Sequence, residues 1–116
     1  MKFQMKRVIL FTSNFDEMVR FYGEVLGLEL VSSEEGWREF DSGPCRIAIH
    51  RGHRGKGEAG ATPAKLVFYV EDVGVARTFL MEERKVTMGK IMSPGELEFC
   101  DGKDPDGNPF QISSRK

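Results

Sequence analysis

Cysteine is scarce in this 116-residue chain: Cys45 and Cys100 stand alone, with no CxxC spacing between them. Two thiols are too few for a disulfide framework, so both read as reduced and partly buried. Long apolar runs are lacking as well. The longest, such as Val8–Phe11 and Leu66–Val70, fall far short of the roughly 20 residues that a membrane helix needs. Neither sign of charge is in excess, with 17 basic against 18 acidic residues and a net charge of -1, so no global field draws the chain to nucleic acid or to an anionic membrane. Met1–Arg7 carries Lys2, Lys6 and Arg7 but runs straight into an apolar strand without a signal-peptide core, and the expectation is a cytoplasmic location.

What is present suits one folded domain. Hydrophobic residues make up 40%, which is too apolar for a disordered chain, and the length supports one core. Arg7–Ser13 reads as a strand that ends at Asn14, a helix N-cap. Asp16 and Glu17 complement the positive end of the helix dipole, and Met18, Phe21, Tyr22, Val25 and Leu26 recur at helical spacing. Gly27 supplies the left-handed stop, and Leu28–Ser32 resumes as a strand.

A frame shift of 58 residues, half of 116, brings back the same order. Leu66–Val70 stands where Val8–Thr12 stood, Asp72 replaces Asn14, Phe79 and Leu80 replace Phe21 and Tyr22, and Lys65 meets Arg7. Lys85 takes the place of Gly27, so the second helix must end without a glycine cap. Further strands are predicted at Trp37–Asp41 and Arg46–His50, then at Val86–Ile91, Leu97–Asp101 and Pro109–Ser113, with turns at Ser93-Pro94-Gly95 and at Asp104–Asn108. Each half therefore reads β-α-β-β-β: module one over about 1–50, a Gly-rich basic linker over about 51–63, and module two over about 64–116.

Alternate residues of a strand face opposite sides of its sheet. One set, Val8, Leu10, Ile47, Ile49, Leu66, Phe68, Val70, Phe110 and Ile112, is apolar and belongs beneath the helices. The other set is mixed. In module one it comprises Arg7, Ile9 and Phe11, then Arg46, Ala48 and His50, with Trp37 and Glu39. In module two it comprises Lys65, Val67, Tyr69 and Gln111. A curved sheet with such a face reads as a ligand-binding concavity.

Val8-Ile-Leu-Phe-Thr-Ser-Asn14, followed by Arg20-Phe-Tyr22 and Val25-Leu-Gly-Leu28, resembles the first strand and helix of the glyoxalase/bleomycin-resistance/dioxygenase, or vicinal-oxygen-chelate, superfamily. Trp37–Asp41, Ile47–His50 and Asp104-Pro-Asp-Gly-Asn108 look like further strands and the turn before its last one. The resemblance covers nearly the whole chain and implies an α+β fold. It consists of two βαβββ modules in tandem within a single domain over 1–116, each a curved mixed sheet with a helix on its convex face.

Metal-using members of that superfamily hold a divalent ion with His or Gln on the first strand of each module and Glu on the last. The resemblance carries those positions onto Arg7, Ala48, Lys65 and Gln111. A guanidinium and an ammonium only donate, a methyl has no donor atom for a metal, and Gln111 alone could ligate. The expectation is no metal and no cofactor. A shifted register that enlisted His50, Glu39 or Glu98 is the alternative.

Two readings stand for each remaining group. Arg7 and Lys65 form either an anion-binding pair or salt-bridged strand ends. Trp37, Phe11 and Tyr69 either stack on a planar ligand or pack and serve a dimer contact. His50 and Glu39 are the candidate acid/base groups, against ordinary hydrogen bonding, and His53 in the linker is a weaker one. The resemblance implies a metal-independent small-molecule binding protein that sequesters an anionic or aromatic ligand such as an antibiotic, working as a homodimer without nucleic-acid or membrane partners. The alternative it implies is a metal-dependent enzyme, a lyase of the lactoylglutathione-lyase kind or a dioxygenase.

Overall fold

The computed structural model describes residues 1–2, 4–52 and 64–116, and the chain divides into two compact units, Met1–Gly57 and Glu58–Lys116. In the first, β1 (Arg7–Thr12) leads into α1 (Phe15–Arg20), followed by β2 (Glu29–Glu34), β3 (Trp37–Asp41) and β4 (Arg46–Arg51). The sheet runs β1-β4-β3-β2, with β1 and β4 parallel and the other neighbours antiparallel. The last strand of the module thus returns beside the first, and the helix supplies the crossover that a parallel pair needs.

The second unit repeats this plan with β5 (Leu66–Tyr69), α2 (Val73–Thr78), β6 (Phe99–Lys103) and β7 (Pro109–Ser113). Its sheet runs β5-β7-β6, with β5 and β7 parallel. The fold is α+β, two βαβββ modules in tandem, the second with one strand reduced. That strand was expected at Val86–Ile91, where only isolated bridges form, Met88 to Gly102 and Met92 to Phe99. The register slips by one residue between those bridges. The Gly89 carbonyl meanwhile accepts from Arg77 Nε at 2.7 Å, a side-chain bond where a regular ladder would place a strand. The basic linker also starts later than expected. Arg51 belongs to β4 opposite Thr12, and the Gly52 N–H donates to the Thr12 carbonyl. His53 and the rest of that segment lie outside the described residues.

Helical spacing in module one buries one face of α1 and its continuation: Met18, Phe21, Tyr22 and Val25 are buried with Phe15. Beneath them lie Ile47 and Ile49 of β4 and Phe40 of β3. In module two Val73 and Leu80 are buried, as are Phe110 and Ile112 of β7 and Cys100 of β6. Both helices widen into a π-helical last turn, Phe21–Val25 and Phe79–Glu83, marked by Leu26 N–H donating to the Phe21 carbonyl and Arg84 N–H to that of Phe79. Both then close with a longer bond, Leu28 to Tyr22 and Val86 to Leu80, around a left-handed residue. In the first helix that residue is Gly27 at φ 72°, and in the second it is Lys85 at φ 59°. The helix starts differ. The Asp72 carboxylate accepts from the Val75 N–H at 3.0 Å, whereas Asn14 makes no side-chain capping bond and its own N–H donates to Thr12 Oγ1.

Candidate functional site

Register decides which side chains meet on the mixed face of module one. Arg7, Ile9 and Phe11 of β1 stand opposite Arg46, Ala48 and His50 of β4, and β3 sets Glu39 beside Ala48 and Trp37 beside His50. All eight residues expected there share the face. It is less open than alternation implies, because Glu39 is 4% exposed and Ala48 is fully buried.

Two clusters form on it. At the start of β1 the Glu39 Oε2 accepts from Arg7 Nε at 3.2 Å and from Arg46 Nη1 at 3.4 Å. Arg7 reaches Glu39 across β4, and the residue of β4 level with Glu39 is Ala48, whose methyl is short enough to leave the path clear. At the far end the His50 ring lies between Phe11, with centroids 5.3 Å apart, and Trp37, edge-on at 5.7 Å. Trp37 Nε1 donates to Ser32 Oγ of β2 at 3.0 Å, which fixes the indole. His50 Nδ1 donates to the Arg51 carbonyl at 2.7 Å, so the proton sits on Nδ1 and Nε2 faces away from that bond.

Module two carries a corresponding arrangement with different chemistry. Val67 of β5 stands opposite Gln111 of β7, which stands opposite Asp101 of β6. Lys65, just ahead of β5, donates from Nζ to Asp101 Oδ2 at 3.1 Å, and Gln111 Nε2 donates to Asp101 Oδ1 at 2.9 Å. Asp101 thus does for Lys65 what Glu39 does for Arg7. Sequence reading missed Asp101. The strand was expected to end there, and its partnership appears only once β6 and β7 are in register. Tyr69 is exposed, with the Lys116 ammonium 5.7 Å from its ring centre.

Arg7 and Lys65 are therefore salt-bridged, each to a carboxylate of its own module, as one of the two readings held. The four positions at which the resemblance puts metal ligands do not fit a divalent ion. Two are cations already engaged with carboxylates, one is a methyl, and the Gln111 amide is held to Asp101. The substitutes fare no better: Glu39 is taken by two guanidiniums, and among the described residues no three His, Cys, Asp or Glu side chains gather as a metal would require.

A family profile described as Glyoxalase/Bleomycin resistance protein/Dioxygenase superfamily matches residues 4–112. No curated protein sequence matches. Among solved structures, the lactoylglutathione lyase of Agrobacterium tumefaciens superposes with a TM-score of 0.74 at 20% identity, over 94% of this chain and 91% of that one. An oxidase, ChaP-H2, gives 0.73 at 17%, over 100% and 96%. A virulence protein of Salmonella typhimurium gives 0.71 at 21%, over 97% of each chain. At such identities the likeness shows the fold alone. Among the described residues no helix is long and apolar enough to cross a membrane.

Proposed function

The chain belongs to the Glyoxalase/Bleomycin resistance protein/Dioxygenase superfamily, and from that premise we propose that it is a metal-independent small-molecule binding protein. Ligand-binding residues on the mixed face of module one are Arg7, Ile9, Phe11, Trp37 and His50, and module two has its own mixed face with Val67, Tyr69 and Gln111. One observation carries this reading. Where the superfamily's metal users need converging oxygen and nitrogen ligands, this chain sets a guanidinium and an ammonium, each ion-paired with a carboxylate of its own sheet. Apolar and aromatic surface left exposed around them, Ile9, Phe11, Val67 and Tyr69, suits a ligand with a hydrophobic body. The reading includes a cytoplasmic homodimer and an anionic or aromatic ligand, an antibiotic among the options.

Metal analysis of the purified chain together with a thermal-shift screen tests it, since a ligand bound only by the folded state raises the melting temperature. Anionic aromatic compounds that raise the midpoint of metal-free protein are the expected result. A metal-dependent lyase or dioxygenase is the second reading, favoured by the lyase and the oxidase among the structural neighbours. Stoichiometric nickel, zinc, manganese or iron, lost together with activity on chelation, would replace the first reading with the second.

A further inference from the structure

The two clusters on the face of module one differ in kind and sit at opposite ends of the same strands. Arg7 and Arg46 are level in register, and Phe11 and His50 are level four residues further on. At roughly 3.3 Å per residue that separation is about 13 Å.

Within the cluster of Arg7, Arg46 and Glu39 charge does not cancel. One carboxylate, Glu39, serves two guanidiniums, so the three groups together keep one positive charge. Asp41, level with Arg46 on the same face, accepts from the Gly43 N–H at 2.8 Å and takes no part in the ion pairs of Glu39. The Arg7 and Arg46 side chains are 43% and 49% exposed, and each spends one N–H on Glu39, which leaves further guanidinium donors of the kind that suits a carboxylate or phosphate. Because Glu39 holds both guanidiniums, less side-chain freedom remains to be lost when an anion arrives. The other end is an aromatic shelf already braced by the indole bond to Ser32 and the imidazole bond to Arg51. Module two is built differently. There Lys65 is matched by Asp101, Lys103 of β6 stands level with Pro109, and Tyr69 stands level with Ser113.

We propose that the face of module one recognises a single ligand bearing an acidic group at one end and an aromatic ring at the other, about 13 Å apart. This deepens the small-molecule reading above and rests on it. The acid meets Arg7 and Arg46, the ring meets Phe11, His50 and Trp37, and Ile9 lies under the apolar link.

The test is calorimetric titration of the full-length chain with ω-phenylalkanoic acids of increasing methylene count. Each acid is paired with its neutral amide and with the alkanoic acid that lacks the ring. Trp37, the one tryptophan, reports the same binding by fluorescence. Affinity should rise to an optimum where carboxylate and ring span about 13 Å, and both controls at that length should bind about tenfold more weakly or worse. Arg46→Gln should level acid and amide, and Phe11→Ala should abolish the length optimum. Equal affinity for acid and amide, a flat length profile, or no binding by any member overturns the inference. The thermal-shift screen separates the two failures: hits of unrelated chemistry leave the broader reading standing, whereas binding that requires a stoichiometric metal removes both.

Discussion

Arg7 Nε donates to Glu39 Oε2 at 3.2 Å across the whole width of β4, and the Glu39 side chain that receives it is 6% exposed while that of Arg7 is 43% exposed. The pair is thus buried at one end and wet at the other. Removing the carboxylate frees two cations that can each turn to water, so the cost stays below that of breaking a fully buried pair. Glu39→Ala is expected to lower stability by about 1–2 kcal/mol, read from the urea midpoint. Glu39→Gln, which keeps the shape and one acceptor, should cost less. Equal losses for the two variants would mean that the charge of Glu39 accounts for the whole effect and that its shape over Ala48 adds nothing.

The two helix ends form a natural experiment. Gly27 and Lys85 occupy the same left-handed position, and nothing lies within 4 Å of a Cβ built on Gly27. Only backbone conformation therefore distinguishes the residues there. Gly27→Ala should destabilise by about 1 kcal/mol and Lys85→Gly should stabilise by a similar amount, measured as opposite shifts of the thermal midpoint.

Much of this arrangement was legible before any coordinates. Trp37–Asp41 and Pro109–Ser113 were read at their observed bounds because turn residues flank them, and strand parity brought Arg7, Ile9 and Phe11 onto one face with Arg46, Ala48 and His50. The frame shift between Gly27 and Lys85 foretold a helix that ends without glycine. Other features left no mark in single residues. The burial of Glu39 and its grip on two arginines depend on three strands lying in register, which alternation along any one strand does not encode. The π-helical turns reflect a choice of hydrogen-bond partner, Leu26 to Phe21, that the apolar spacing of Phe21, Tyr22 and Val25 accommodates equally in an α-helix. Val86–Ile91 has strand-like composition, yet the Arg77 guanidinium holds one of its carbonyls.

Gly102 marks a close approach that β-propensity alone would not reveal. A Cβ there would lie 2.6 Å from Met88 Sδ and 2.9 Å from Phe110 Cζ. The thioether can swing aside, but the Phe110 ring is fully buried and has nowhere to go. Gly102→Ala should cost about 1–3 kcal/mol by overpacking. Pairing it with Phe110→Leu should recover part of that loss in urea unfolding, and a purely additive result would locate the strain elsewhere.

Cys100 links the core of module two to pH. Burial raises its thiol above the ordinary value, against a lowering by the Arg77 charge and with a further raising by Asp101. The folded chain therefore keeps this proton to higher pH than the unfolded chain does. While both states hold the proton, stability does not respond to it. Once pH passes the unfolded thiol's range near 8.5, only the unfolded chain releases the proton, and stability falls until the folded value is reached. The urea midpoint of the parent should accordingly drop toward that of Cys100→Ala as pH rises from neutral to about 10, since the variant lacks the titrating group. Iodoacetamide at neutral pH gives an independent check. Cys45, which is only partly buried, should alkylate in the folded protein while Cys100 resists until the chain unfolds. A midpoint difference that stays constant with pH, or equal labelling of the two thiols, would show that burial does not govern the Cys100 proton.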